Sequence, residues 1–263
     1  MKKLWITAMV SAKDKISQLT AVVKKFGLAM EGHIWEDDNQ KMPWIQAKDA
    51  VTHPDIGLWA IVVSGEDLES PSITYGLSML AVIVQAERGS GFPILLLQAG
   101  GEPIDPAALP TPLQAVDVLP LEDSGLGAKL VARVHGTHKT MDLEYLLNIH
   151  GNDQVGQWFE LRPQHESWPG VIFGAAGAEI AFQAVGPRGK LPEKSVLEYP
   201  VQGIQLGLGE KEVVAWSVRN ELDAQTAYYA KVEGSPDAIV FGPYTEGQAA
   251  DLFVVSLTPR LQR

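Results

Sequence analysis

Acidic or hydroxylated side chains follow three apolar runs in the first half of the chain. They are Ser11 and Asp14 after residues 4–10, Glu36 and Asp37 after residues 30–35, and Ser64, Glu66 and Asp67 after residues 58–63. Carboxylates at such positions can act as general acids and bases. Trp44 follows the polar loop 38–43 and is the ring that we expect to contact a ligand. A structural alternative stays open for each group, because Ser and Asp also cap helices and acidic loops are commonly solvated.

Motifs for nucleotide, metal and hydrolase chemistry are not found in the sequence. Ser11-Ala12-Lys13-Asp14 stands where a dinucleotide-binding domain has G-x-G-x-x-G, and no G-x-x-x-x-G-K-[ST] occurs. Ser64 follows an apolar run, but its surroundings are Val-Val-Ser-Gly-Glu and not the G-x-S-x-G of a nucleophile elbow. His135 and His138 have an i, i+3 spacing without a matching carboxylate, so we expect solvated histidines and no metal site.

Composition excludes several further classes. The 263 residues include no cysteine, which excludes disulfides, thiolate metal sites and a cysteine nucleophile. The formal net charge is −11 at pH 7 and Lys and Arg form no cluster larger than a pair, so we expect no nucleic-acid binding. No apolar run approaches the roughly 18 residues of a membrane span. We therefore expect a soluble, cytoplasmic protein with no membrane segment and no cofactor.

The elements that position these residues alternate between strands and helices. Apolar runs predict strands, and helical spacing of apolar residues predicts the segments between them as helices. The predicted strands are residues 4–10, 30–35, 58–63, 92–98 and 116–119, and the predicted helices are 11–26, 43–51, 75–87 and 125–135. Ser11 and Asp14 are predicted to form a capping box. This order predicts a flavodoxin-like α/β domain over residues 1–138, with helices on both faces of a parallel sheet of strand order 2-1-3-4-5.

The pattern changes after residue 138, where short β-rich runs are separated by Gly, Pro, Asn and Asp. The nine predicted strands are residues 143–149, 155–162, 171–173, 179–185, 195–206, 213–218, 226–232, 238–241 and 252–257. Such spacing predicts an antiparallel β-sandwich or open barrel over residues 139–263. Strand 213–218 is apolar, and we expect it to be a sheet edge that could pair with a second copy of the chain.

The first half resembles the TIR (Toll/interleukin-1 receptor-like) domain over residues 3–135. The resemblance rests on Ser11-Ala12-Lys13-Asp14-Lys15 after the first strand and on the acidic end of His33-Ile34-Trp35-Glu36-Asp37. It continues with Ser64 after the third strand and with Asp67-Leu68-Glu69-Ser70. The resemblance implies a signalling or defence module, which in some members is an NAD glycohydrolase.

The enzymatic members of that family carry a glutamate early in the helix after the third strand. The matching position in this chain falls at or near Gly76, and no acid occurs between Glu69 and Glu87. We therefore predict a non-catalytic signalling or binding module whose partner is an unidentified protein or small-molecule ligand. The chain could also assemble into homo-oligomers. The alternative is a hydrolase or transferase acting on nucleotides or nucleosides, NAD glycohydrolase-like or deoxyribosyltransferase-like. Glu66 or Asp67 would then be its catalytic carboxylate.

Overall fold

The computed structural model describes residues 2–209, 211–246 and 251–259. These residues form two compact units. The first runs to Met141 and includes Pro259, and the second is Asp142–Thr258. That residues 1–138 and 139–263 are separate folding domains remains a prediction.

The first unit is built on a five-stranded parallel sheet. Its strands are β1 (Lys3–Ala8), β2 (Ala29–Ile34), β3 (Ile56–Val63), β4 (Ile94–Gln98) and β5 (Asp117–Pro120). They pair in the order β2-β1-β3-β4-β5, and all four strand pairs are parallel. This confirms the predicted flavodoxin-like order.

Five α-helices accompany this sheet in the described part of the chain. They are α1 (Ile16–Lys25), α2 (Pro43–Val51), α3 (Gly65–Glu69), α4 (Pro71–Arg88) and α5 (Leu126–His135). All of β3 is buried, as expected for a central strand covered on both faces. Apolar residues of α1 and α5 share one core with β1, β3 and β4. The short helix α3 was not predicted, and α4 begins four residues before the predicted start at residue 75.

The capping box was predicted at the wrong strand end. Residues Val10–Lys15 form a 3-10 turn that precedes α1, and neither this turn nor α1 has a side-chain cap. A capping box is present instead at α3, where Ser64 and Asp67 exchange hydrogen bonds. Ser11 lies inside this turn, whose N-cap residue is Met9, and its hydroxyl donates to Asp67, 56 positions along the chain.

The second unit consists of two antiparallel sheets, which confirms the all-β prediction. Its nine described strands are β6 (Tyr145–Asn152), β7 (Gly156–Pro163), β8 (Val171–Ala176), β9 (Glu179–Pro187), β10 (Val201–Leu208), β11 (Lys211–Val218), β12 (Thr226–Glu233), β13 (Ala238–Pro243) and β14 (Phe253–Ser256). The sheet orders are β10-β11-β8-β13-β14 and β6-β7-β12-β9. The ring of Phe173 on β8 lies 6.1 Å from that of Phe159 on β7 and 5.7 Å from that of Tyr228 on β12, so the sheets pack face to face.

The expectation that residues 213–218 form a sheet edge is wrong. Strand β11 pairs with β10 on one side and with β8 on the other, so its main chain is already hydrogen-bonded. Side-chain character does not distinguish an edge strand from an interior one: Val213 and Ala215 are buried on one face of β11, whereas Val214 is exposed on the opposite face. Among the described residues, no helix has both the length and the apolar character needed to cross a membrane.

Candidate functional site

The carboxyl ends of β1 and β3 define the candidate site. Strand β1 lies between β2 and β3, so the direction of chain winding reverses between β1 and β3. In open α/β sheets, ligands bind in the crevice beyond the carboxyl ends of the strands at such a switch point. Ser11 follows β1 here, and Ser64 and Asp67 follow β3. The structure thus brings three of the predicted residues together.

Asp67 joins these two strand ends through four hydrogen-bond contacts. The Ser11 hydroxyl donates to both of its carboxylate oxygens, at 2.9 Å to Oδ1 and 2.8 Å to Oδ2. Oδ2 also accepts from the backbone N–H of Ser64 at 2.7 Å and from the Ser64 hydroxyl at 2.8 Å. The hydrogen bonds of the Asp67 carboxylate therefore hold the loop after β1 against the start of α3.

The loop after β4 lies at the same sheet edge and is hydrogen-bonded to the segments that follow β1 and β3. The Lys15 ammonium donates to the carbonyl of Ala99, and the Ala99 N–H donates to the carbonyl of Val63 at 2.7 Å. The side-chain amide of Gln98 donates to the Glu102 carbonyl at 2.6 Å. The loops after β1, β3 and β4 are thus joined by their own hydrogen bonds, and this part of the switch point is built as a continuous surface.

Acidic side chains surround this closed surface. Asp14 and Glu66 are exposed, as is Asp37 in the loop after β2. Glu36 is exposed too, but it forms an ion pair with Lys41. The neighbouring Asp38 accepts from the N–H of Gln40 at 3.1 Å and so caps the turn Asn39–Lys41. The structure therefore places Asp14, Glu36, Asp37 and Glu66 on the surface and not inside a sheltered pocket.

Trp44 lies in the core, contrary to the expectation of a ring available to a ligand. Only 1% of its surface is exposed, and its ring packs edge-on against Tyr75 of α4, with centroids 5.4 Å apart. Pro43 at the first turn of α2 favours the helix that turns this ring inward. Trp44 thus positions α2 against α4.

Gly76 of α4 packs closely against the ring of Trp35 in the same region. A Cβ atom at position 76 would be 2.6 Å from Cζ2 of Trp35 and 3.5 Å from Oδ1 of Asn39. Trp35 is 2% exposed and lies in the described core. A side chain at position 76 would therefore require the indole to move.

Sequence reasoning missed three unpaired polar atoms in this region. The indole nitrogens of Trp35 and Trp44 and the Oδ1 atom of Asn39 are buried and have no hydrogen-bond partner. Such groups are costly unless a water or a ligand group pairs with them. The sequence suggests Trp44 as a ring for a ligand, but nothing in the residue pattern indicates that the indole N–H groups of Trp35 and Trp44 lack acceptors.

The histidines singled out in the sequence do not converge. His135 ends α5, and Nε2 of the exposed His138 donates to the Arg133 carbonyl at 2.7 Å. A third histidine, His165, belongs to the second unit, where its Nε2 atom lies 2.9 Å from Oδ1 of Asp142. Over the described residues, no group of three His, Cys, Asp or Glu side chains is arranged to hold a metal ion.

The second unit contains a buried carboxylate that sequence reasoning also missed. Glu160 of β7 is 2% exposed, and it pairs with Nε2 of His150 on β6 at 2.5 Å and accepts from the Gly189 N–H at 2.8 Å. Burial alone would raise the pKa of Glu160. The hydrogen bonds from His150 and Gly189 and the positive charges of His150 and Arg162 outweigh burial, and the pKa is lowered.

Comparisons with known proteins add little to this geometry. No protein-family model and no curated protein matches the chain. Among solved structures, the chain is similar to a 3-dehydroquinate dehydratase-like protein from Bifidobacterium longum. The identity is 17%, the match covers 51% of this chain and 97% of that chain, and the TM-score is 0.34. At this TM-score the likeness supports no argument about function.

Proposed function

We propose that the chain is a non-catalytic signalling or binding protein whose first unit is TIR-like. The observation that carries this proposal is the packing at Gly76. The resemblance implies that a TIR enzyme needs a glutamate at the matching position. A Cβ atom there would already lie 2.6 Å from a ring carbon of Trp35, so a glutamate would displace a core indole.

The surroundings of Glu66 and Asp67, the two candidate catalytic carboxylates, also favour binding over catalysis. A general acid or base must reach a proton of the substrate. The oxygens of Asp67 already accept from Ser11 and Ser64, and their bonds hold two strand ends together. Glu66 is exposed on a five-residue helix, where water solvates its charge. A nucleotide-processing enzyme would have to rely on this solvated carboxylate.

The exposed charges suggest what kind of partner the carboxyl edge contacts. Asp14, Asp37 and Glu66 are exposed around the closed surface. A concentration of one charge favours a partner of opposite charge and speeds its association. We infer that the partner presents a basic surface, on another protein or on a second copy of this chain, and we place this interaction in the cytoplasm.

A turnover assay tests the non-catalytic part of the proposal. The full chain is incubated with NAD, nucleosides and deoxynucleosides, and the products are separated by chromatography. We expect no product above the protein-free blank. Turnover that Glu66→Gln or Asp67→Asn abolishes would overturn the proposal in favour of the nucleotide-processing alternative.

A binding assay tests the acidic surface. The affinity of the full chain for a short oligolysine peptide is measured by calorimetry at several salt concentrations. The triple variant Asp14→Asn, Asp37→Asn and Glu66→Gln is compared with a matched triple that neutralises exposed acids elsewhere, at Glu179, Glu193 and Glu233. We expect only the first variant to weaken binding. Equal losses would mean that the peptide senses net charge and not this surface.

A further inference from the structure

A cavity of about 310 Å³ lies at the opposite, amino edge of the parallel sheet, away from the candidate site. Its wall is formed where β4 and β5 begin and where α5 ends. Ligand pockets commonly range from about 300 to 1,000 Å³. This volume is therefore suited to a small molecule rather than to a dinucleotide.

The rim of the cavity is fixed by the segment that follows α5. The Ser90 hydroxyl donates to the carbonyl of Met141 at 2.7 Å and accepts from the Met141 N–H at 2.9 Å. A Cβ atom at Gly91 would be 3.0 Å from Oγ1 of Thr140, so this segment packs closely against the turn before β4. The wall formed by residue 141 is thus held by hydrogen bonds and is in place before any ligand arrives.

The charged groups of the cavity are mainly basic, whereas the whole chain carries −11. Lys139 and Arg133 line the cavity, against the single carboxylate of Asp117. Asp117 accepts from Nε of Arg133 at 3.1 Å and from Nη2 at 2.7 Å, and this pair does not use Nη1. Lys139 has no ion-pair partner in the described part of the chain. The cavity therefore offers a free ammonium and part of a guanidinium to an anion.

The remaining walls provide apolar contact and one polar acceptor. Phe92, Ile94 and Met141 line the cavity with apolar surface. The amide nitrogen of Gln85 donates to the Pro112 carbonyl at 2.9 Å, which leaves its Oε1 atom as an acceptor for a hydroxyl group. Pockets that combine apolar walls with a few placed polar groups are typical of small-ligand sites.

We propose that this cavity binds a small hydroxylated anion, with a carboxylate or phosphate group at Lys139 and a hydroxyl group near Gln85. Calorimetry and NMR of ¹³C-methyl-labelled methionines test the site on the full chain. The probes are ribose 5-phosphate, malate and inorganic phosphate, with neutral ribose as the control. Because Met141 lines the cavity, its methyl signal, assigned with Met141→Leu, is expected to shift on binding while that of Met30, on β2, stays unchanged.

Charge variants decide whether the binding is local. Lys139→Gln is expected to weaken binding about fivefold, the effect of about one partly exposed ion pair. Asp117→Asn is expected to strengthen binding, because it frees the Arg133 guanidinium. Lys24→Gln makes the same charge change at an exposed position of α1 and is expected to leave the affinity unchanged. Preference for ribose 5-phosphate or for malate identifies the anionic group.

Three outcomes would overturn the proposal. The first is the lack of saturable heat and of any Met141 shift with all three anions. The second is an equal loss of affinity in Lys139→Gln and Lys24→Gln, which would mean nonspecific attraction. The third is unchanged binding in Ala115→Trp, because an indole at this exposed lining position would fill the cavity. Thermal unfolding of each variant checks that it is folded.

Discussion

The hydroxyl of Ser11 donates to the carboxylate of Asp67 across the switch point of the parallel sheet, at 2.8 and 2.9 Å from its two oxygens. Ser11 follows β1 and Asp67 lies in α3 after β3, so one side-chain pair spans the crevice in which doubly wound domains bind ligands. The pair converts an open strand-end crevice into a hydrogen-bonded surface. A partner at this edge would therefore contact the surface and would not enter between the strands.

The capping role of Ser64 leads to a first prediction. Ser64→Ala removes the N-cap acceptor and one donor to Asp67, and is expected to lower the free energy of unfolding by about 1 to 2 kcal/mol. Ser11→Ala is expected to cost less, about 1 kcal/mol, because its hydrogen bond is exposed to water. Urea unfolding measures both. Ser17→Ala, at an exposed position on α1, is the control and should stay within about 0.5 kcal/mol of the wild type.

The contact between Gly76 and Trp35 gives a second prediction. Gly76→Ala gains about 1 kcal/mol of helix propensity but overpacks a core indole, and overpacking costs about 1 to 3 kcal/mol. With the Cβ atom only 2.6 Å from Cζ2 of Trp35, we expect net destabilisation by urea unfolding. In a Trp35→Leu background the same change should become neutral or stabilising. Equal effects in both backgrounds would show that the indole is not the obstacle.

The buried pair of Glu160 and His150 gives a third prediction, which concerns pH. The pKa of Glu160 is lowered from its ordinary value of 4.5, so near pH 4.5 the folded chain binds fewer protons than the unfolded chain. The stabilisation is therefore present above pH 4.5 and is lost as the pH falls through the folded-state pKa. Urea titrations between pH 7 and pH 3 should show this loss in the wild type and a shallower one in Glu160→Gln.

Two variants separate the buried pair from general acid effects. His150→Ala leaves the buried Glu160 carboxylate without its hydrogen-bond donor on β6 and is expected to cost about 3 kcal/mol at pH 7. Glu179→Gln removes an exposed glutamate of β9 and should keep the pH profile of the wild type. If Glu160→Gln and Glu179→Gln gave the same profile, the stability at low pH would not depend on the buried pair.

The fold could be predicted from sequence to a large extent, because its signals are local. The apolar run of β3 is buried throughout, and Gly and Pro mark the limits of most elements, so the strand order 2-1-3-4-5 could be inferred from the alternation of strands and helices. The short helix α3 was missed because its five residues are too few to show helical periodicity.

The candidate site could be predicted only in part, because its contacts are not local. The predicted topology places Ser11 and Asp67 at one sheet edge. Their hydrogen bond could not be predicted, because it joins residues 56 positions apart. The burial of Trp44 depends on Tyr75 of α4, and the pairing of Glu160 depends on His150 of a neighbouring strand. Neither partner can be identified from residue spacing alone.

The hydrogen bond between Trp59 and Thr7 gives the fourth prediction. The indole N–H of Trp59 donates to the Thr7 hydroxyl at 2.9 Å, and both side chains are fully buried on the adjacent strands β3 and β1. Thr7→Val keeps the shape of the side chain but leaves a buried donor without an acceptor, which costs about 1 to 3 kcal/mol. Thr7→Ser keeps the acceptor and loses one buried methyl group, which is expected to lower the free energy of unfolding by about 1 kcal/mol. Urea unfolding should therefore find Thr7→Val the less stable variant, and the reverse order would mean that packing, not the hydrogen bond, dominates at this position.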